Sequence, residues 1–417
     1  MVCSSPDYGE KKGEYRMKYI VMLGDGMADY AIEALGGKTP LEAAKKPNID
    51  RLACGGELGM VKTVPEGMKP GSDVANLSAM GYDPLKCYTG RSPLEAVSIG
   101  VKMSDTDVAF RCNLVTLSDE PEYENKTMMD YSSGEITTAE AAELIKAVDA
   151  AFRNDEILFY PGISYRHCMI WHGGPVGLEL TPPHDISDRR VTDYLPKNPV
   201  ILDLMKRSYE ILKDHPVNQA RVARGLNPAN SIWMWGEGTR PAVSSFEETY
   251  GVKASVISAV DLIKGIGICT GMKVIEVEGA TGNIDTNFTG KGVAALETLL
   301  EGQDLVYIHV EAPDECGHHG DLEGKIRSIE LIDEEIVGPL LSGLEKAGED
   351  YAILVMPDHP TPIAIKTHIS DPIPYLIYRS NAPVESGVDT YTEKTAQAAG
   401  RYVARGCELM NHLLGRS

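Results

Sequence analysis

Three short apolar runs, each followed closely by an acidic residue, constrain the fold of this 417-residue chain most strongly. Each run is rich in β-branched and aliphatic side chains without alternation, which is typical of strands buried on both faces of a sheet. The runs occupy residues 19–23, 305–310 and 351–356, and the acids that follow are Asp25, Asp314 and Asp358. Open, mostly parallel sheets bind ligands outside the carboxyl ends of their strands, so these distant acids are predicted to converge on one crevice.

Histidines accompany two of these acids. His318 follows Asp314 by four residues. His359 follows Asp358 directly, and His368 lies nearby. Mixed carboxylate and imidazole donors favour Mn²⁺, Zn²⁺ or Fe²⁺ over Ca²⁺ and Mg²⁺, which prefer all-oxygen ligands. Two such ions about 3.5–4 Å apart can hold the attacking and leaving oxygens of an in-line displacement, so the ligand types indicate phosphoryl or sulfuryl transfer.

A serine at a predicted helix start supplies the nucleophile that this chemistry needs. Ser72 follows a Pro-Gly turn, and a helix is predicted to open from Asp73. Free backbone N–H groups at a helix start can hold a phosphate, and a metal on the serine oxygen favours its alkoxide. Structural roles stay open, because Ser72 and Asp25 could each cap a helix and an isolated Asp-x-x-x-His pair is usually solvated.

Composition argues against nucleic-acid and membrane partners. Lys and Arg number 40 against 61 Asp and Glu, and the resulting net charge of −21 repels polyanions. Eight scattered cysteines predict reduced thiols in the cytoplasm, and Cys316 is expected to pack as a small residue rather than bind metal. No apolar stretch is long enough to cross a membrane, and residues 1–16 are expected to form a flexible leader. The oligomeric state stays open.

The order of predicted elements indicates one α/β domain interrupted by another. A mostly parallel sheet flanked by helices is expected over residues 17–104 and 242–417, which form the predicted metal-binding domain. A smaller inserted α/β domain is expected over residues 105–241. Its predicted elements are strands at 110–117 and 165–171, a Thr-capped helix at 137–148 and a helical region at 198–215.

Six motifs in this order resemble those of archaeal-type cofactor-independent phosphoglycerate mutases, members of the alkaline phosphatase superfamily. They are Gly24-Asp-Gly26, Pro70-Gly-Ser-Asp73, Gly81-Tyr-Asp-Pro84, the segment from Tyr88 to Ala96, the segment from Ala312 to His318, and Pro357-Asp-His359. The resemblance runs from about residue 17 to the C-terminus. It implies an alkaline-phosphatase-like sheet and a Ser72 that is transiently phosphorylated.

The resemblance also implies a ligand set for two divalent ions. One ion would take Asp314, His318 and His368, and the other would take Asp25, Ser72, Asp358 and His359. Mn²⁺ is the expected ion, with Zn²⁺, Mg²⁺ and Co²⁺ as alternatives. No 2,3-bisphosphoglycerate would be needed.

Candidates for substrate recognition lie in the predicted insertion. A carboxylate-bearing phosphate ester calls for bidentate contacts, which Arg provides better than Lys. Arg111 and Arg166 stand in apolar strands, where an unpaired guanidinium would be costly. The adjacent Arg189 and Arg190 could instead face water.

Three further residues have a functional and a structural interpretation. His184 and Asp185 could orient the substrate or relay protons, or they could cap a turn. Lys264 resembles the family's lysine that stabilises the transferring phosphoryl group, and the alternative is a surface lysine.

The implied activity is the interconversion of 3-phosphoglycerate and 2-phosphoglycerate, a small anionic phosphorylated substrate pair. One departure keeps an alternative open: Trp235-Gly-Glu-Gly238 replaces the Arg-Gly-x-Gly of archaeal mutases and is similar to a bacterial branch proposed as homoserine kinases of threonine biosynthesis. A kinase needs a nucleotide site, yet no Gly-x-x-x-x-Gly-Lys-Ser/Thr loop is present. A metal-dependent phosphatase or sulfatase would share the core and release its product to water, and a non-catalytic binding protein would keep the fold without the ligands.

Overall fold

The computed structural model describes residues 17–416, so the predicted leader at 1–16 lies outside the described residues. Within this range the chain separates into two compact units. The first contains residues 17–84, 246–260 and 271–416, and the second contains residues 85–245 and 261–270.

The strands of the described chain are numbered in chain order. They are β1 (Lys18–Gly24), β2 (Glu57–Val61), β3 (Asp107–Leu117), β4 (Met128–Asp130), β5 (Ile157–Tyr160), β6 (Arg166–His172), β7 (Ser231–Thr239), β8 (Ala254–Ile257), β9 (Lys273–Val274), β10 (Leu305–Val310), β11 (Tyr351–Met356), β12 (Ile373–Arg379) and β13 (Tyr402–Val403).

The α-helices are numbered in the same way. They are α1 (Pro40–Ala43), α2 (Pro47–Cys54), α3 (Ser72–Ala79), α4 (Pro84–Cys87), α5 (Ser92–Ser98), α6 (Thr138–Phe152), α7 (Pro199–Leu212), α8 (Pro216–Ala223), α9 (Phe246–Tyr250), α10 (Asp261–Cys269), α11 (Phe288–Leu300), α12 (Ala312–His319), α13 (Leu322–Leu331), α14 (Gly338–Ala347), α15 (Glu393–Ala398) and α16 (Leu409–Leu413). A π-helical segment, Ile332–Val337, joins α13 to α14. Short 3₁₀ helices cover Glu33–Leu35, Tyr123–Asn125, Pro183–Ile186, Thr192–Tyr194 and Gly406–Glu408. Between residues 17 and 416, no helix has the length and apolar character needed to cross a membrane.

The first unit is built on one large, mostly parallel sheet. Its strand order is β13-β2-β12-β11-β1-β10-β8-β9. The central strand β1 pairs in parallel with β10 and β11, placing Leu23 opposite His309 and Met356. The antiparallel pairs in this sheet are β11 with β12 and β12 with β2. This sheet and its flanking helices confirm the predicted α/β fold class.

Burial explains why the predicted strands are continuous apolar runs. Every residue of β10 and of β11 is buried, because helices cover both faces of the sheet. Helix α11 packs against β10, and α16 packs against β11. The core between sheet and helices includes Ile20, Ile308, Ile353 and Leu341. Side chains on both faces therefore had to be apolar, and the usual polar alternation is absent.

The second unit is built on a five-stranded sheet. The strand order is β4-β3-β6-β5, and β7 pairs with β3. Its pairs are antiparallel. Helix α6 packs against β5 and α7 against β7. The side chain of Thr137 caps α6 by accepting the N–H of Glu140, as the sequence predicts.

The second unit includes residues 85–104 and 261–270, which lie outside the predicted insertion of 105–241. The physical reason is helix packing. Helix α5 packs against β3 and β7, and α10 packs against α5. The two helices approach closely, since a Cβ added at Gly265 would lie 2.0 Å from the carbonyl oxygen of Leu94. Chain order alone does not say which sheet a connecting helix covers.

Candidate active site

The three acids that follow the central strands reach one edge of the large sheet. Asp25 follows β1 directly, Asp358 follows β11, and Asp314 lies in the first turn of α12 after β10. All three side chains belong to the first unit and are buried. Gly26 permits this convergence, because it has a φ of +60° and a Cβ there would lie 2.5 Å from Asp314 Oδ1.

One cluster of potential ligands contains Asp25, Asp358 and His359. One ligand atom from each lies within 4.8 Å of the other two. His359 Nε2 is 3.6 Å from Asp25 Oδ1 and 3.3 Å from Asp358 Oδ2. The hydroxyl of Ser72 lies beside this cluster, with Oγ 3.2 Å from His359 Nε2. The structure thus brings together all four residues assigned by resemblance to one ion.

A second cluster contains Asp314, His359 and His368, again within 4.8 Å of one another. His318 lies at its edge, with Nε2 3.2 Å from Asp314 Oδ2 and 2.9 Å from His368 Nε2. The Nδ1 of His318 is 3.0 Å from the carbonyl oxygen of Lys366, so it can donate there and leave Nε2 free for a metal. His359 belongs to both clusters, an overlap that the residue pattern did not indicate.

The donor set fits divalent cations. Asp25 Oδ1 is buried and has no hydrogen-bond partner among residues 17–416. Burial and the nearby charge of Asp358 together raise the pKa of Asp25 well above its ordinary value. A bare, buried carboxylate oxygen crowded by like charge is costly unless a cation neutralises it. Cys316 lies outside both clusters, and burial raises the pKa of its thiol to about 11, as expected for a packed cysteine.

Asn76 orients the nucleophile and one acid together. Its Nδ2 donates to Asp358 Oδ2 and to the carbonyl of Ser72, each at 2.9 Å. Its Oδ1 accepts the hydroxyl of Tyr307 at 2.7 Å. Helix α3 begins at Ser72 and its N-cap is Gly71, so Ser72 is not the cap of its own helix.

Hydrogen bonding sets the charges of the second cluster before any metal binds. Burial alone would raise the pKa of Asp314, but hydrogen bonds with His318 and His368 hold that pKa well below its ordinary value. The same bond to Asp314 raises the pKa of His318 to about 9, although burial opposes it. Burial lowers the pKa of His359. We therefore expect the metal-free protein to carry a proton on His318 at neutral pH.

We expect metal binding to displace this proton, because an imidazole must be neutral to coordinate. The affinity for Mn²⁺ should rise with pH until about 9, the pKa of His318. Protonation of His318 also stabilises the metal-free fold, because the pKa of His318 is higher in the folded protein than its value of 6.5 in the unfolded chain. This stabilisation is fully present below pH 6.5 and is lost as the pH rises through about 9. Calorimetric titration in buffers of different ionisation enthalpy measures the number of protons released when Mn²⁺ binds.

His318→Asn should reduce the protons released on Mn²⁺ binding by about one. The control is His319→Asn on the neighbouring residue, whose side chain is 73% exposed and lies outside both clusters. Equal proton release in the two variants would show that His318 does not bind metal.

Among the predicted substrate contacts, Arg111 already has a carboxylate partner. Its Nε and Nη2 donate to the two carboxylate oxygens of Glu95 at 2.8 and 2.6 Å. Its guanidinium lies 4.5 Å from the ring centre of Trp235. Burial alone would raise the pKa of Glu95, but Arg111 and Arg91 lower it overall. The expected cost of a buried guanidinium is thus offset by its ion pair with Glu95.

The other predicted contacts of the second unit are more exposed. Arg166 is not in an apolar interior as expected: it is the exposed first residue of β6, near the ring of Tyr165. Arg189 is exposed and donates to the hydroxyl of Tyr194 at 3.3 Å, and the neighbouring Arg190 is exposed as well.

The remaining predicted residues also lie in the second unit. His184 and Asp185 are exposed on the 3₁₀ helix Pro183–Ile186, and the His184 ring lies edge-on to Trp235 at 5.3 Å between centres. Lys264 is half-buried on α10 rather than an exposed surface lysine.

Sequence reasoning missed four residues that support these groups. His309 bonds Asp25, Asn76 bonds Asp358, Glu95 pairs with Arg111, and Trp235 stacks on Arg111. A signal existed for His309, since it is a lone histidine in a strand whose other residues are aliphatic apart from Tyr307. No local signal marks Glu95, because its partner is on a different element.

Comparison with known proteins agrees with this geometry. Residues 53–218 match the family model of 2,3-bisphosphoglycerate-independent phosphoglycerate mutase. The chain is 52% identical over 403 residues to a probable 2,3-bisphosphoglycerate-independent phosphoglycerate mutase of Geobacter sulfurreducens, covering 96% of this chain and 100% of that one. It is 50% identical over 401 residues to the corresponding mutase of Methanothrix thermoacetophila, covering 95% of this chain and 100% of the relative.

Solved structures show the same fold. A protein from Pyrococcus horikoshii is 30% identical with a TM-score of 0.80, covering 96% of this chain and 98% of that one. A cofactor-independent phosphoglycerate mutase from Thermoplasma acidophilum is 24% identical with a TM-score of 0.68, covering 96% of this chain and 99% of that one. Identity of about half over nearly the full length of both chains shows that this protein belongs to the 2,3-bisphosphoglycerate-independent phosphoglycerate mutase family.

Proposed function

We propose that the protein interconverts 3-phosphoglycerate and 2-phosphoglycerate through a phosphorylated Ser72. The observation that carries the proposal is the Ser72 hydroxyl 3.2 Å from His359, beside two clusters of carboxylates and imidazoles. Relatives that are about half identical over the whole chain carry the mutase name, which favours this activity over homoserine phosphorylation. The family name itself describes independence from 2,3-bisphosphoglycerate.

Two divalent ions would be held by the clustered ligands. When bound, they would neutralise charge on the phosphoryl oxygens and lower the pKa of the Ser72 hydroxyl. Mn²⁺ is the proposed ion, with Zn²⁺, Mg²⁺ and Co²⁺ as alternatives. The proposed ligands are Asp25, Ser72, Asp358 and His359 for one ion, and Asp314, His318 and His368 for the other.

Transfer then needs two in-line displacements at Ser72. In the first, Ser72 Oγ forms a bond to phosphorus, the bond from phosphorus to O3 of glycerate breaks, and O3 gains the proton that the serine loses. In the second, O2 of glycerate attacks the phosphoserine, and its proton ends on Ser72. Positioning and charge neutralisation dominate such loose transition states. The N-terminus of α3 favours the phosphate charge beside Ser72.

Residues of the second unit are proposed to bind the substrate. Arginine suits the carboxylate of glycerate, because its fork donates two parallel hydrogen bonds. Lys264 is proposed to neutralise the transferring phosphoryl group. The proposed contacts to glycerate are Arg111, Arg166, Arg189, His184 and Asp185.

A cytoplasmic location is part of this proposal. None of the seven cysteines in the described range forms a disulfide, which suits a reducing compartment.

A substrate panel tests the proposed activity. Enzyme loaded with Mn²⁺ is given 3-phosphoglycerate in one reaction and homoserine with ATP in another, and phosphorus NMR follows the products. We expect 2-phosphoglycerate in the first reaction and no phosphohomoserine in the second. Phosphohomoserine without 2-phosphoglycerate would select the kinase, and inorganic phosphate with no isomer would select a phosphatase.

Removing a glycerate contact should change how the phosphoenzyme partitions. Arg166→Ala removes a charge-assisted contact contributing about 1.5–3 kcal/mol, so the KM for 3-phosphoglycerate should rise about ten- to hundredfold. Glycerate should also escape before the return transfer, and free phosphate should accumulate. The product ratio is read by phosphorus NMR.

The matched control is Arg153→Ala. Arg153 is another exposed arginine of the second unit, and it pairs with Asp149 at 2.7 Å. Arg111→Ala is a poorer test, because it would leave Glu95 without its main partner. If Arg166→Ala and Arg153→Ala behave alike, Arg166 does not hold the substrate.

A further inference from the structure

His309 is a fully buried histidine that belongs to neither ligand cluster. It lies in β10, whose other residues are buried and, apart from Tyr307, aliphatic. Its Nε2 is 2.8 Å from Asp25 Oδ2, and its Nδ1 is 3.2 Å from the hydroxyl of Ser258. A polar ring in such a strand persists only where its nitrogens are hydrogen-bonded, and here both are.

The hydrogen-bond partners determine where the ring carries its proton. Asp25 can bind a metal only in its ionised form, and an ionised carboxylate only accepts, so in that form the proton between His309 and Asp25 belongs to Nε2. Nδ1 therefore accepts, and the Ser258 hydroxyl donates to it. Ser258 Oγ in turn accepts the N–H of Val260 at 3.0 Å. These hydrogen bonds fix both the tautomer and the plane of the His309 ring. They run from Val260 through Ser258 and His309 to Asp25.

These contacts give the two carboxylate oxygens of Asp25 different surroundings. His309 occupies Oδ2, whereas Oδ1 has no partner in the described part of the chain and lies 3.6 Å from His359 Nε2. We propose that His309 is a positioning residue, which engages Oδ2 so that Oδ1 of Asp25 faces the metal cluster, and that Ser258 positions His309. The inference rests on the proposed role of Asp25 as a metal ligand. Partners of this kind commonly change metal affinity by about ten- to hundredfold.

Replacing His309 with Gln or with Asn distinguishes a positioning role of this residue from a packing role. The side-chain nitrogen of Gln reaches about as far as Nε2 of His, whereas that of Asn reaches only about as far as Nδ1. His309→Gln can therefore still donate to Asp25, and His309→Asn retains only the contact with Ser258. Mn²⁺ binding to the metal-free protein is measured by electron paramagnetic resonance of the free ion, alongside the melting temperature. We expect His309→Asn to weaken Mn²⁺ binding about ten- to hundredfold and His309→Gln to retain most of the affinity.

A pair of serine variants gives an independent test. Ser258 and Ser255 are both buried, but Ser255 Oγ makes no hydrogen bond in the described chain. Ser258→Ala should weaken Mn²⁺ binding, because the ring loses its donor at Nδ1. Ser255→Ala should leave Mn²⁺ binding unchanged, since no contact is lost.

The outcomes are distinct. Wild-type affinity in both His309→Asn and Ser258→Ala overturns the inference. Equal loss of affinity in His309→Asn and His309→Gln, with equal loss of melting temperature, assigns His309 to packing and also overturns it. Asp25→Asn tests the proposed metal ligation itself: unchanged Mn²⁺ binding in that variant would remove Asp25 from the proposed ligands. If Asp25→Asn loses Mn²⁺ and His309→Asn does not, the positioning role alone is wrong.

Discussion

Ser72→Ala is expected to lower mutase turnover by at least about 10³-fold, because it removes the atom that accepts the phosphoryl group. The fold should survive, since Ser72 is only half-buried and the main-chain contact from Asn76 to its carbonyl remains. Most of the metal affinity should also remain, because the carboxylates and imidazoles are unchanged. Turnover is followed by phosphorus NMR, and phosphorylation of the protein is followed by intact mass after quenching in acid.

Ser78→Ala is the matched control for this variant. Ser78 lies on the same helix, is buried, and donates to the carbonyl of Thr63. Its loss should destabilise the protein by about 1 kcal/mol and leave phosphorylation of Ser72 intact. Full turnover in Ser72→Ala, or an unchanged mass increase after exposure to substrate, would rule out the covalent mechanism.

Exhaustive chelation is expected to abolish activity, and added Mn²⁺ is expected to restore it. The buried carboxylates of Asp25, Asp314 and Asp358 lie near one another in the first unit, and their like charges repel. Bound cations relieve this repulsion. Metal that binds only the folded protein also stabilises it by about 2.7 kcal/mol at one hundred times its Kd. The melting temperature should therefore fall on chelation and recover with Mn²⁺. Acidification below about pH 6 should have the same effect, because protons compete for the imidazole ligands.

Adjacent histidines provide the control for the metal prediction. His318→Asn should reduce the Mn²⁺ affinity and require more Mn²⁺ to restore activity after chelation. His319→Asn should behave as wild type, because its exposed ring contributes to neither cluster. An enzyme that keeps full activity after exhaustive chelation, with no bound metal detectable by elemental analysis, would contradict the two-metal proposal.

The sequence alone was enough to predict the fold class and where the acids meet. Continuous apolar runs identify strands buried on both faces, and parallel strands that share an edge bring together whatever follows them. Asp25, Asp314 and Asp358 could therefore be placed near one another from local pattern. Their roles, and those of Ser72 and the histidines, stay predictions until the variants are measured.

Only the tertiary structure decided which side chains support these residues. His309 bonds Asp25 across 284 residues of chain, and Glu95 pairs with Arg111 between a helix and a strand. Packing likewise assigned α5 and α10 to the second unit. Local patterns record whether a residue is buried and which way a strand faces. They do not record the register between strands or which side chain lies across an interface. A hydrogen bond depends on both, because donor and acceptor must be placed within a few tenths of an ångström.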